Sequence, residues 1–394
     1  MDPTRDQTYH FLDELIEELA SLFPDRYFHI GGDEVNGKAW DRSPEIHEFM
    51  RAQGIRNNHD LQAYFNGRLQ KIVSKRGKIM TGWDEILHPD LPREIVVQSW
   101  RGQKSLADAA RQGYRGLLSS GYYLDLMFPA ARHYSVDPLG GGAAGLSAQE
   151  KERILGGEAC MWAELVTPGN VDGRIWPRAA AVAERLWSPE SVKDLSSMYA
   201  RLHTVSEYLD FLGLTHNTGY QLMLERLRGS DDIHSLGVLA DVLEPVKEYE
   251  RDKSGKYNSF TPLNRLVDAV HPESDAARQF AEMVEKWLSD SSHPEEIAGI
   301  RRRLTDWRDN DQQLEPILQN NSLLQEIIPV SQGLQSVSLI GLQALDYLNH
   351  VGRAPVNWRQ EHLALLKEAE KPQAELLNMI VPAVEKLVAA TTPE

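Results

Sequence analysis

The sequence predicts an α/β domain followed by an all-α region, and three observations carry that expectation. Five apolar runs of strand length recur up to residue 162, amphipathic helical periods fill most of the gaps between them, and beyond residue 213 only helical periods remain. Continuous apolar strands separated by amphipathic helices indicate a parallel sheet covered on both faces.

Taken in chain order, a helix-like stretch from about Gln7 to Phe23 begins almost at once and leads into the first run, "RYFHIGG". The period of "NHDLQAYFNGRLQKIVSKRG" then predicts a helix before the second run, "GKIMTGW", and the third, "EIVVQSW", follows closely. "QKSLADAARQGY" reads as a helix with Gly113 as its stop, before "YRGLLSSGYYLDL" and, further on, "RILGGEACMW". Two more helical stretches, "RIWPRAAAVAERLWSP" and "VKDLSSMYARLHTVSEYLDFLGL", complete the first domain, expected over residues 1–213. Turn chemistry in "GLTHNTGY" marks the boundary. A second domain, 214–394, is expected from periods such as "DAARQFAEMVEKWLSD", "IAGIRRRLTDWRDNDQQLEPILQ" and "HLALLKEAEKPQAELLNMIVPAVEKLV". It shows no repeat of fixed period and no low-complexity segment.

Composition narrows the partners. With 41% hydrophobic and 25% charged residues, the 394-residue chain has a globular make-up. Its 58 acidic and 42 basic side chains give a formal charge of -16, which disfavours nucleic acid and acidic membrane surfaces and favours a neutral or cationic ligand. The single cysteine, Cys160, excludes an intramolecular disulfide and leaves the redox compartment open. No apolar stretch has the length of a membrane span, and "MDPTRDQTYHF" has no basic segment followed by an apolar one, so no secretion signal is expected in this chain.

The chemistry-bearing residues cluster at the ends of the apolar runs. Asp33, Glu34, Trp83, Trp100, Asp125, Trp162 and Glu164 all fall at or just past the carboxyl ends of expected strands. Both a β/α barrel and a doubly wound open sheet bind ligands there, so position alone leaves the two architectures open. Cleavage of a glycosidic bond needs a carboxylic acid at the leaving oxygen and a second group that stabilises positive charge at the anomeric carbon. Asp33 and Glu34 offer two carboxylates, and Gly31 and Gly32 permit the backbone turn that aims both at one pocket. A surface Asp-Glu pair or a helix N-cap is the plainer account. Trp83, Trp100 and Trp162 offer flat faces to sugar rings, against the alternative of burial in the core. Tyr123, Asp125 and Glu164 supply a hydroxyl and acceptors for sugar hydroxyls; a salt bridge or a cap equally explains the two acids. A third reading, His29, Asp33 and Glu34 as metal ligands, has no second histidine at a strand end near the pair to support it.

"FHIGGDEV", "GWDE", "VQSW", "GYYLDL", "GGEACMWAE" and "PRAAAVAERLWS" stand in the order and approximate spacing of glycoside hydrolase family 20, the β-N-acetylhexosaminidases, which the chain resembles over about residues 1–213. The resemblance implies a (β/α)8 TIM-type barrel, present here as a partial barrel because "RYFHIGG" corresponds to the family's fourth strand. The first three strands, an arginine that grips terminal sugar hydroxyls and a histidine segment that supports the acid are expected upstream of this text. The resemblance further implies exo-hydrolysis of terminal N-acetylglucosamine or N-acetylgalactosamine by substrate assistance, with no cofactor and no metal. By matching position, Glu34 is the general acid and base, and Asp33 orients the 2-acetamido group. Trp83, Trp100 and Trp162 line the sugar pocket, Tyr123 donates to the acetamido oxygen, and Asp125 and Glu164 accept from outer hydroxyls. His29 supports the site or packs in the core. The expected partners are N-acetylhexosamine-containing oligosaccharides or glycoconjugates, and an incomplete barrel favours a homo-oligomer. Complete relatives are often exported, and bacterial ones can carry a helical extension. A non-catalytic carbohydrate-binding protein is the alternative.

Overall fold

In the computed structural model, which describes residues 1–290, 294–349 and 353–391, five strands lie side by side in chain order. They are β1 (Tyr27–His29), β2 (Ile79–Trp83), β3 (Val96–Ser99), β4 (Arg115–Leu118) and β5 (Ile154–Gly157). Every neighbour pair is parallel, with Tyr27 opposite Ile79, Thr81 opposite Val96 and Val96 opposite Arg115. The β4–β5 register shifts between Gly116 and Leu118. A doubly wound sheet reverses its strand order at a switch point; this one never does. With right-handed crossovers throughout, consecutive order winds the connections in one sense, which is the wall of a β/α barrel.

The two compact units of the chain interleave along the sequence. The first comprises Met1–Tyr123, His133–Cys160 and Val182–Lys193; the second comprises Leu124–Arg132, Met161–Ala181 and Asp194–Glu394.

In the first unit the helices Asp6–Leu22, Asn58–Lys75 and Gln103–Arg111 cover the sheet. Leu12, Ile16, Leu69, Val73, Met80, Ile95, Val97, Ala109 and Tyr114 form their common core. Helix Asn58–Lys75 starts where the Asn57 side chain accepts the Asp60 amide, satisfying one of its unpaired first-turn donors. Gly116 lets helix Gln103–Arg111 lie close to the sheet, since a Cβ there would meet Leu106 Cδ1 at 2.6 Å. β3 is buried along its whole length, whereas the outermost strands carry Tyr27 and Leu155 exposed. Phe11, Phe23 and Trp187 are also exposed in this unit, so open edges and apolar helix faces occur together, as the partial barrel predicts.

The second unit is mostly helical. The long helices Pro294–Asn320 and Ile328–Leu348 pack with Asp275–Ser289 and Val381–Ala390 around Phe280, Leu304, Trp307, Leu334, Leu345 and Val384. One difference from the all-α expectation is an antiparallel pair, β6 (Leu243–Pro245) with β7 (Leu376–Asn378). Strands of three residues have no period for sequence reading to detect, and β7 interrupts what reads as one helical run. Arg174, 1% exposed, ties the segment after β5 into this unit by donating to the carbonyls of Val267, Asp268 and Val270. Asn170 adds a further bond to the Asp268 carbonyl. Among the described residues, no helix is long and apolar enough to cross a membrane.

Candidate active site

β1 ends at His29, and the backbone beyond it leaves the extended region. Gly31, Gly32 and Glu34 have φ of 75°, 100° and 51°, so the strand rule that sends successive side chains to opposite faces does not apply to Asp33 and Glu34. Glycine is required at position 32 for a second reason: a Cβ there would meet Ile86 Cγ2 at 2.7 Å. The turn is held from β2, because the Ile30 amide donates to the Thr81 carbonyl and the Trp83 amide to the Gly31 carbonyl. The buried Gln62 side chain, from helix Asn58–Lys75, donates to the Gly32 carbonyl at 2.6 Å. Both carboxylates are exposed on this braced loop.

His29 accepts the Gly31 amide on Nδ1 at 3.1 Å, so its neutral form carries the proton on Nε2. Its ring meets Trp83 edge-on with centroids 4.9 Å apart. Desolvation pushes the His29 pKa down, while the Asp33 charge and a hydrogen bond with the Gln98 side chain pull it upward. Gln98 is itself 3% exposed and donates towards Cys160 Sγ. His29, Asp33 and Trp83 are therefore neighbours.

Trp100 follows β3 and is fixed by the two acids after Trp83. The buried Asp84 carboxylate accepts the amides of Trp100 and Arg101 at 2.9 and 2.8 Å and the Ser105 hydroxyl at 2.5 Å. Glu85 accepts the Trp100 indole N–H at 3.2 Å and the Arg101 guanidinium at 2.7 Å. Tyr123, nearly buried, bridges to Cys160 in parallel fashion past the ends of β4 and β5.

The other three expected site residues belong to the second unit. Asp125 sits in the 3-10 turn Leu124–Leu126, and its carboxylate accepts the Trp162 amide. Its Oδ1 is buried with no hydrogen-bond partner among the described residues. Burial raises its pKa to about 6; the Glu164 charge adds to the rise, while hydrogen bonds from its own amide and that of Trp162, and the Arg178 charge, oppose it. Trp162 and Glu164 are exposed beside it. Arg178, 2% exposed, donates to the carbonyls of Phe128 and Leu124 at 2.8 and 2.9 Å and also to that of Arg174, clamping the loop that carries Asp125. Sequence reading singled out none of Gln62, Asp84, Glu85, Gln98 or Arg178. A signal existed for Asp84 and Glu85, paired acids directly after a strand, and for Arg178, a charge opening the apolar stretch Ala179–Ala183.

Both the sequence and the fold of the chain have counterparts among known proteins. Residues 1–190 match the model described as glycosyl hydrolase family 20, catalytic domain. The β-hexosaminidase subunit beta of Mus musculus is 36% identical over 211 residues, covering 51% of this chain and 39% of that protein. The crystal structure of a chitobiase from Flavobacterium johnsoniae is similar with a TM-score of 0.90 at 39% identity, over 98% of this chain and 59% of that one, so the likeness includes the helical region. An exo-β-N-acetylglucosaminidase of Vibrio harveyi gives a TM-score of 0.51 at 29% identity, over 54% of this chain and 36% of that one. The chain thus spans less than two thirds of the length of each of these relatives. The family whose catalytic domain the first 190 residues match is glycoside hydrolase family 20.

Proposed function

We propose that the chain supplies the catalytic face of a β-N-acetylhexosaminidase that removes terminal N-acetylglucosamine or N-acetylgalactosamine from the non-reducing ends of oligosaccharides or glycoconjugates. The observation that carries this reading is the Asp33-Glu34 pair, exposed on a non-extended loop whose carbonyls are braced by Trp83 and Gln62. Glu34 protonates the leaving oxygen while the substrate's acetamido oxygen attacks the anomeric carbon, breaking the glycosidic bond and closing an oxazolinium ring. Asp33 accepts from the acetamido N–H, orienting the nucleophile and stabilising the charge that develops on its nitrogen. Glu34, now a carboxylate, takes a proton from the water that opens the ring, so the anomeric configuration is retained.

Trp83, Trp100 and Trp162 stack on the sugar and its acetamido methyl, and Tyr123 donates to the acetamido oxygen. Asp125 and Glu164 accept from the outer hydroxyls. The unpartnered Oδ1 of Asp125 supports that role, because a buried acceptor with an unused lone pair gains most from a ligand donor. The test is chromophore release from an aryl N-acetyl-β-glucosaminide by the purified chain. Release is expected from the parent, with a loss of at least about a hundredfold in Glu34→Gln on substrates with poor leaving groups. Asp33→Asn should also slow turnover of 2-acetamido sugars. A folded parent without activity, or Glu34→Gln at the parent rate, would refute the assignment and favour a carbohydrate-binding protein.

A further inference from the structure

A second cluster lies in the first unit, sharing no residue with the acid pair. His59 and Asp60 open helix Asn58–Lys75, and His88 follows the 3-10 turn Asp84–Ile86 after β2. One ligand atom from each of the three lies within 4.8 Å of the others. His88 is 7% exposed, its Nε2 stands 3.5 Å from Asp60 Oδ1, and its ring lies 5.1 Å from that of His59. At 3.5 Å the imidazole–carboxylate contact is long for a charge-assisted hydrogen bond, but it matches the edge of a tetrahedron built on metal–ligand bonds of about 2.0–2.1 Å, roughly 3.3 Å. We propose that His59, Asp60 and His88 form a binding site for a divalent transition-metal ion of the zinc class, with water as the fourth ligand.

Both halves of the site are set before any ion arrives. Asn57 caps the helix turn that carries His59 and Asp60, and the Tyr114 hydroxyl bonds the carbonyls of His88 and Leu91 at 2.6 and 3.0 Å, fixing the loop. Behind His88 the Asp90 amide donates to Nδ1 at 3.3 Å, and the Asp90 carboxylate lies 3.6 Å from the same nitrogen. A metal on Nε2 puts the imidazole proton on Nδ1, so the Asp90 amide must give up its bond there and the exposed Asp90 carboxylate must turn in to accept the proton, the backing found behind metal-bound imidazoles. Two nitrogens and one carboxylate oxygen suit zinc better than calcium or magnesium, which take oxygen ligands. Arg56 occupies Asp60 at 2.8 and 3.4 Å, but its side chain is 80% exposed and swings into water at little cost. Arg56 is thus a built-in competitor of the ion.

The experiment is calorimetric titration of the chelator-stripped 394-residue chain with zinc chloride, with circular dichroism to confirm that each variant is folded. One saturable equivalent is expected. His59→Gln changes an exposed side chain and should weaken binding at least about tenfold. Arg56→Ala should tighten it, a result that a purely structural role for the cluster does not produce. No saturable equivalent in the parent, or equal affinity in the parent, His59→Gln and Asp60→Asn, overturns the site. Hydrolase activity enters none of these readouts.

Discussion

Glu34 holds a left-handed backbone conformation that a β-carbon makes costly. At most positions alanine stabilises relative to glycine; here the order should reverse, with Glu34→Gly more stable than Glu34→Ala by about 1 kcal/mol in urea denaturation. Equal stabilities would mean that the backbone relaxes and that the φ of 51° is not imposed by the loop. Asp125 makes a second prediction, this time in pH. Its pKa of about 6 lies above that of an unfolded aspartate, so this residue favours folding below about pH 4 and that contribution is lost as pH rises through 6. The opposite, ionised form is the stronger acceptor for a sugar hydroxyl. The acid limb of kcat/KM should therefore fall below about pH 6, and Asp125→Asn should remove that limb together with much of the affinity. Glu34 was legible because it closely follows two glycines at the end of an apolar run, and Asp125 because it falls at the end of another. Their conformations were not, since φ at Glu34 and burial at Asp125 are consequences of tertiary packing.

At the level of elements, the loop beyond β1 is an extension of the β1–β2 ladder that gives up strand dihedrals but keeps the carbonyl contacts. Gly32→Ala should cost roughly 2–4 kcal/mol, combining an unfavourable φ with the clash against Ile86, and thermal denaturation would register it. Wild-type stability in that variant would show that the loop can withdraw from Ile86. Strand positions were readable because apolar continuity is a local property of the chain. The bracing groups were not readable: Gln62 looks like any polar residue on a helix, and only the fold turns it onto the Gly32 carbonyl. Asp84 likewise reads as a surface acid until β3 brings the Trp100 amide to it. The zinc-class cluster joins a helix start to a loop beyond the next strand, a pairing that spacing alone does not announce.

At the scale of the whole molecule, the five strands and the helical region follow the expected order, while the units interleave through segments that sequence reading assigned to the first domain. Arg174 explains why: its guanidinium bonds three carbonyls of the second unit, and no hydropathy pattern records such a bond. Within that unit Arg251, 2% exposed, pairs with the fully buried Asp268 at 2.7 Å and with Glu375 at 3.2 Å. Arg251→Ala leaves Asp268 charged and unpaired, and a loss of about 3–5 kcal/mol is expected in denaturant. A much smaller loss would show that water reaches Asp268. β6 and β7 give the unit a further property, one of timing. The partner of Leu243–Pro245 is Leu376–Asn378, so during synthesis β6 waits with its edge open while all the intervening helices emerge. The ribosome must deliver nearly the whole helical region before its first strand can close, and a transcript cut short anywhere before Leu376 yields helices whose enclosing seam cannot form.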